Sequence, residues 1–207
     1  MTLRRDLLVA VIGFGVVFAL VYAMGTAFLP ASERAGLVAQ SADSEHALLD
    51  ELMASLADRA DAAVIEVAGE VSVRSVLSTA ESPFLWVPQD TPPEEHRPGG
   101  PVDVDVRYTG GGLTLAIQAD RMVEGLARTE GWTILLTMDG HSFNAHAGEC
   151  TVELTRSGSV LDPTPTGAAG LLLAWPYFVG HVTCREISDI RSPGTVSFTA
   201  AFNYGDG

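Results

Sequence analysis

Five side chains in the second half of the chain could do chemistry: Cys150, Cys184, His141, His146 and His181. Thiolate and imidazole together suit zinc or copper. His141 and His146 are five residues apart, however, so in one regular strand their rings would point to opposite faces. Only a bend or a bulge would bring both rings onto one ion, and the spacing matches no closed zinc motif. We therefore predict no metal and no other cofactor, and keep a site built on the three histidines as an alternative.

A disulfide is the simpler interpretation of the two cysteines. Cys150 and Cys184 lie in predicted strands of a domain that, as argued below, is exported, and the outer face of a bacterial membrane permits disulfides. Closing this loop would stabilise the fold by about 3 to 4 kcal/mol. The cysteines then have a structural role.

The sequence offers no catalytic motif. There is no GxSxG, no P-loop and no GxGxxG after a strand, and no set of Ser, His and Asp has a recognisable local context. We therefore predict that the protein is not an enzyme.

The composition excludes one class of function. The 207 residues carry a formal net charge of -14, and all 12 basic residues are arginine. Binding to nucleic acid needs a patch of basic side chains that neutralises phosphates. We expect no nucleic-acid partner.

The apolar residues are concentrated at the N-terminus, where residues 7–29 contain no charge. As a helix this run would be about 34 Å long, enough for a hydrocarbon core of about 30 Å. Arg4 and Arg5 precede it, which predicts a cytoplasmic tip at 1–6 and a single-pass protein with its C-terminal domain periplasmic or extracellular. The run would contact membrane lipid. A cleaved signal peptide, with a small-residue site at 25–27, is the competing interpretation.

Small residues recur at four-residue steps within this run. Such a stripe lets two transmembrane backbones approach closely, although a chain rich in alanine and glycine also produces it by chance. It predicts packing against another helix through Gly15, Ala19, Ala23 and Ala27.

The rest of the chain divides into a linker at 30–40 and an extracytoplasmic domain at 41–207. The segment HALLDELMASLADRADAA predicts an amphipathic helix of about 18 residues, with apolar positions Leu48, Leu49, Leu52, Leu56 and Ala60. Period-two alternation then predicts a strand from Ile65 to Val73, with a bulge at Gly69. Further strands are predicted at VDVDVRY, LTLAIQA, TILLTMDG, HSFNAHA, ECTVELT, LLLAWPYFVGHVTC and TVSFTAAFNY. A short helix is predicted in DRMVEGLART.

The fold class that follows is α+β. It combines a single N-terminal transmembrane helix, an amphipathic helix and a mainly antiparallel β domain, either a sandwich or a meander.

A proline-rich loop is predicted at 79–101. Within it, four apolar residues are too hydrophobic for a free linker, so they cover the core of the domain or contact a partner. They are Phe84, Leu85, Trp86 and Val87.

Residues 139–204 resemble small exported β-domains of bacterial lipoproteins and envelope proteins. The resemblance lies in DGHSFNAHAGECTVEL, FVGHVTC and GTVSFTAAFNY, with a cysteine on each of two successive strands. It implies a sandwich or meander with a Cys150–Cys184 bridge, and that group shares no activity. The order of elements is also similar to type IV pilins, but the apolar run contains no glutamate and no processing motif.

These features predict a non-catalytic, membrane-anchored extracytoplasmic protein. We expect an accessory subunit that contacts other membrane-protein subunits or associates with itself. A pilin-like filament subunit and a ligand- or metal-binding ectodomain are the alternatives.

Overall fold

The computed structural model describes residues 31–69, 72–79, 85–88, 97–162 and 171–205. These ranges form one helix and ten strands, and the strand pairings are antiparallel. The elements are α1 (Ala31–Leu56), β1 (Ala62–Ala68), β2 (Val73–Ser78), β3 (Leu85–Pro88), β4 (Val102–Gly110), β5 (Leu113–Met122), β6 (Trp132–Met138), β7 (His141–Asn144), β8 (Cys150–Asp162), β9 (Leu171–Ser188) and β10 (Thr195–Tyr204). The chain divides into two compact units, 1–47 and 48–207.

The predicted α+β class with a membrane-spanning helix is wrong, because the described residues form mostly antiparallel sheet with a single helix. None of the described helical segments is long and apolar enough to cross a bilayer. The span predicted at 7–29 lies outside the described residues. So does the predicted stripe of small residues, Gly15, Ala19, Ala23 and Ala27. Residues 31–40, expected to be a linker, belong to α1.

The end of α1 packs on the outer face of the sheet. Leu52 and Leu56 are fully buried and contact a small apolar cluster that includes Val64 of β1 and Ala201 of β10. Residues 62–65 of β1 are consequently buried on both faces, with Ile65 directed into the main core. The helix ends at Leu56, earlier than the periodicity predicts.

The sheet has the order β3-β9-β10-β1-β2-β4-β5-β6-β7. Strand β8 lies outside this order and also pairs with β9. Between β2 and β4 the pairing is reduced to one residue pair, Ser78 with Thr109. Two halves therefore meet at this point and enclose a common core, to which both contribute buried side chains. The buried Tyr108 of β4 joins the halves, because its hydroxyl donates to the carbonyl of Asn203 on β10 at 2.7 Å.

Three local predictions are wrong. The strand expected from Ile65 to Val73 is a hairpin, with β1 paired to β2. The helix expected in DRMVEGLART is absent, because β5 runs to Met122 and Arg128 then pairs with Val152 of β8. The loop expected at 79–101 contains β3. The strands predicted in HSFNAHA, ECTVELT, LLLAWPYFVGHVTC and TVSFTAAFNY are confirmed as β7 to β10.

Candidate functional site

The predicted disulfide is confirmed. Cys150 and Cys184 are bonded and lie directly opposite each other in the β8–β9 pair. Both are buried in the main core. Because the thiols are used in this bond, they are not available as metal ligands.

The three histidines predicted as an alternative metal site have separate surroundings. Nδ1 of His141 lies 2.7 Å from Oδ2 of Asp189, whereas Nε2 of His181 lies 3.8 Å from a carboxylate oxygen of Glu153. His146 follows the end of β7 in an exposed turn, so the alternation expected for a strand does not apply to it. Within the described residues, no three side chains of metal-ligating type are grouped around one point.

His141 also belongs to a Ser-His-Asp cluster that the sequence did not reveal. The Ser192 hydroxyl donates to Oδ2 of Asp189 and lies 3.5 Å from Nδ1 of His141. In a catalytic triad the serine and the aspartate use opposite nitrogens of the ring. Here both are on Nδ1, so the hydroxyl proton is directed to the carboxylate and His141 cannot remove it through Nε2. This cluster orders the loop after β9.

Hydrogen bonds to the Asp189 carboxylate account for its lowered pKa. Three hydrogen-bond partners hold the pKa of Asp189 far below its ordinary value. The Ser192 hydroxyl lowers this pKa most, followed by the backbone N–H of Arg191 at 2.9 Å and then by His141. The Asp189 side chain is 1% exposed, so the charged form depends on these partners.

An exposed apolar pair lies elsewhere, at one end of the long strands β8 and β9. Val160 and Trp175 are directly opposite each other and share one face of the sheet. They are 51% and 42% exposed, although both lie inside strands. Strand β3 pairs with β9 at Leu171–Ala174, immediately beside Trp175. We call Val160, Trp175 and the backbone of β3 the sheet-end surface.

The structure thus places part of the predicted partner-contact cluster beside Trp175. Leu85, Trp86 and Val87 belong to β3, and their backbone pairs with the first residues of β9. Phe84 lies outside the described residues. The sequence did not single out Trp175, because it sits in an apolar run that is typical of a buried strand. The following proline was a weak signal that this run is irregular.

A cleft of about 590 Å³ lies on the same side of the sheet, at the C-terminal end of α1. We call it the α1 cleft. The described residues that line it combine apolar side chains with two arginines and one acid, namely Met53, Leu56, Ala57, Asp58, Arg59, Ala60, Arg156, Val179, Asn203 and Gly205.

A β-bulge positions Arg156 in this lining. The register of β8 against β9 shifts between Leu154 and Arg156, and a bulge of this kind redirects the next side chain. The guanidinium carbon of Arg156 then lies 5.3 Å from the centre of the Tyr177 ring. Tyr177 in turn covers Gly158, where an added Cβ would lie 2.5 Å from the tyrosine hydroxyl oxygen.

The turn that carries Arg59 is tied to the end of β10. Asn203 accepts from the backbone N–H of Ala62 at 2.9 Å and donates to the carbonyl of Arg59. Asp61, with a φ of 51°, accepts from the N–H of Gly205 at 2.8 Å. These contacts between residues distant in sequence give the α1 cleft a fixed wall.

Comparison of the chain with protein-family models, with curated proteins and with solved structures finds no match. The resemblance to exported β-domains stays a prediction. The architectural likeness to pilins also stays a prediction, because the N-terminal helix that it requires falls within residues 1–30, outside the described part of the chain.

Proposed function

We propose that this chain is a non-catalytic, exported protein that serves as an accessory subunit and binds a protein partner through the sheet-end surface. The main support is the exposed pair Val160 and Trp175. Tryptophan is among the residues that contribute most to protein–protein affinity, and two large apolar side chains in neighbouring strands form a ready centre for an interface.

Two further observations support parts of this proposal. A buried disulfide between Cys150 and Cys184 favours an oxidising compartment outside the cytoplasm. The placement of Ser192 and Asp189 on the same nitrogen of His141 favours a structural role for the one Ser-His-Asp cluster noted above.

The partner is a protein with a net positive surface around an apolar centre, because the chain carries a formal charge of -14. Opposite charge accelerates encounter, and this effect decreases with ionic strength. The association rate is therefore expected to fall as salt is added, whereas the apolar contact at Trp175 controls dissociation.

The test begins with the tagged full-length protein purified from its native host, and the co-purifying protein is identified by mass spectrometry and then purified. Trp175→Ala is expected to weaken the binary affinity by about 2 kcal/mol, or about 30-fold. Val160→Asp is expected to weaken it as well. Val73→Asp is the matched control, because Val73 is also a strand valine with an exposed fraction of 51%.

Several results would contradict the proposal. The protein could purify alone, the partner could be acidic or a second copy of the chain, or Val160→Asp could bind as tightly as Val73→Asp. The pilin-like alternative has no specific observation in its favour among the described residues.

A further inference from the structure

We propose that the Ser-His-Asp cluster holds the loop between β9 and β10 over the outer edge of β7, and that this contact prevents a second copy of the chain from pairing with β7. The inference concerns residues 141–144 and 189–194, so it does not depend on the sheet-end surface or on the partner proposed to bind there. It gives the cluster a role beyond the order of its own loop.

Strand β7 is the last strand in the order of the sheet, and it pairs with β6 on one side. The N–H of Ile190 donates to the carbonyl of Ser142 at 2.8 Å, so the backbone groups of Ser142 face away from β6. Because the direction of the backbone groups alternates along a strand, those of Asn144 face away from β6 as well. The outer side of β7 is therefore a strand edge, to which another strand is able to add.

Among the described residues, the loop that follows β9 occupies this edge. Phe143 and Asp189 form an antiparallel bridge, next to the hydrogen bond between Ile190 and Ser142. The N–H of Asp189 also donates to the carbonyl of Gly194 at 3.0 Å, which closes the loop on itself. Covering an edge strand with a loop is one way in which proteins prevent edge-to-edge association.

The side chain of Asp189 holds the loop on β7. Nδ1 of His141, the first residue of β7, lies 2.7 Å from Oδ2 of Asp189, and the Ser192 hydroxyl donates to the same oxygen. The N–H of Arg191 donates to Oδ1 at 2.9 Å. A hydrogen bond to a charged group shifts an equilibrium by at least about tenfold. Removal of this carboxylate is therefore expected to release the loop from β7.

A second copy of the same chain fits the released edge. Two β7 strands in antiparallel order place Ser142 of each copy opposite Asn144 of the other, so their outward N–H and C=O groups bond reciprocally across a two-fold axis. The net charge of -14 opposes self-association in general, but the β7 sequence HSFN contains no acidic residue. This pairing therefore brings no two carboxylates of β7 together.

Sedimentation equilibrium of the full-length protein, over a series of protein concentrations, measures this association. A buffer with about 1 M NaCl limits the repulsion between the acidic copies to about 3 Å. Asp189→Ala is expected to tighten the dimer dissociation constant by at least about a hundredfold relative to the wild type. The reason is that the fraction of chains with a released loop rises about tenfold, and a dimer requires this state in both copies.

Two control variants separate an exposed edge from a general loss of stability or of charge. Leu52→Ala is expected to destabilise the domain at an apolar cluster that does not include β7, and to leave the dissociation constant unchanged. Asp105→Ala removes a carboxylate from an exposed position on β4 and is expected to leave it unchanged as well. If Asp189→Ala fails to fold, Ser192→Ala carries the test. It keeps the other two hydrogen bonds of Asp189 and is expected to tighten the dissociation constant by about tenfold.

Ser142→Pro identifies the strand at which the copies pair. It removes an N–H that faces away from β6, so it blocks a further strand while His141 and Phe143 keep their pairs with β6. Combined with Asp189→Ala, it is expected to restore the wild-type dissociation constant. The proposal is overturned if Asp189→Ala and Ser192→Ala keep the wild-type dissociation constant, if Leu52→Ala associates as tightly as Asp189→Ala, or if Ser142→Pro does not reverse the association.

Discussion

Removing the disulfide between Cys150 and Cys184 is expected to destabilise the domain by an amount that follows from the loop it closes. The cysteines are 34 residues apart. Cross-linking a loop of that length lowers the entropy of the unfolded chain by about 12.6 cal/mol/K, which corresponds to about 3.8 kcal/mol at 25 °C. Typical domains have about 5 to 15 kcal/mol of stability. The reduced protein is therefore expected to fold with a much smaller margin.

Urea unfolding followed by circular dichroism measures this change in the oxidised and the reduced wild-type protein. With an m-value of about 2 kcal/mol/M, the midpoint is expected to fall by about 2 M. The reduced wild type keeps both sulfur atoms in the core, so it isolates the effect of the cross-link. The double variant Cys150→Ala, Cys184→Ala adds the loss of buried sulfur and is expected to be less stable still.

A difference below about 1 kcal/mol between the oxidised and reduced proteins would refute this reasoning. It would mean that the unfolded chain already holds the β8–β9 pair together, so that the bond removes little entropy. An m-value that stays the same on reduction would point to the same conclusion, because it would show that the bond does not change the surface exposed by the unfolded chain.

Two further predictions concern separate parts of the fold. Leu52→Ala is expected to destabilise the domain by about 2 to 5 kcal/mol, because Leu52 is fully buried against Val64. Thermal unfolding measures this loss of stability. An unchanged unfolding midpoint would show that α1 does not pack on β1. Asp189→Asn is expected to destabilise at neutral pH, because the folded state lowers the pKa of Asp189. That stabilisation is fully present above the ordinary pKa of 3.8 and is lost as the pH falls from 3.8 through the lower pKa of the folded state. The stabilities of the wild type and the variant should therefore converge in acid. A difference in stability that persists in acid would contradict this origin.

The strand β4, which has one solvent-exposed face, could be predicted from its alternation, whereas the start of β1, which α1 covers, could not. In β4, Val104 and Val106 are buried while Asp103 and Asp105 are exposed, which is the alternation visible in VDVDVRY. In β1, residues 62–65 are buried on both faces, because the end of α1 covers the outer one. A period of two is absent over these four residues, and a local pattern does not reveal where the helix ends and the strand begins.

The cysteine pair could be predicted because it needs only two cysteines in strands of a domain that we predict to be exported, whereas the α1 cleft depends on contacts between distant residues. Asn203 reaches Ala62 across 141 positions of sequence. Arg156 enters the cleft through a bulge that only the register of β8 against β9 defines. In the sequence, Arg156 lies in the polar stretch TRSGS of β8, and this stretch does not say which surface the arginine side chain joins.

The length of β9 explains why the sheet-end surface lies where it does. Strand β10 ends at Tyr204, which pairs with Phe178, so residues 171–177 of β9 extend beyond β10. Over this extension β9 pairs with β8 on one side and with β3 on the other. Trp175 thus lies between the last pair of β9 with β3, at Ala174, and the nearest pair with β10, at Phe178. It pairs with Val160 of β8, and its side chain stays 42% exposed. A tryptophan whose backbone is held in a strand pair loses little freedom on binding, which is why its removal, rather than that of a loop residue, gives the sharpest test of the proposed interface.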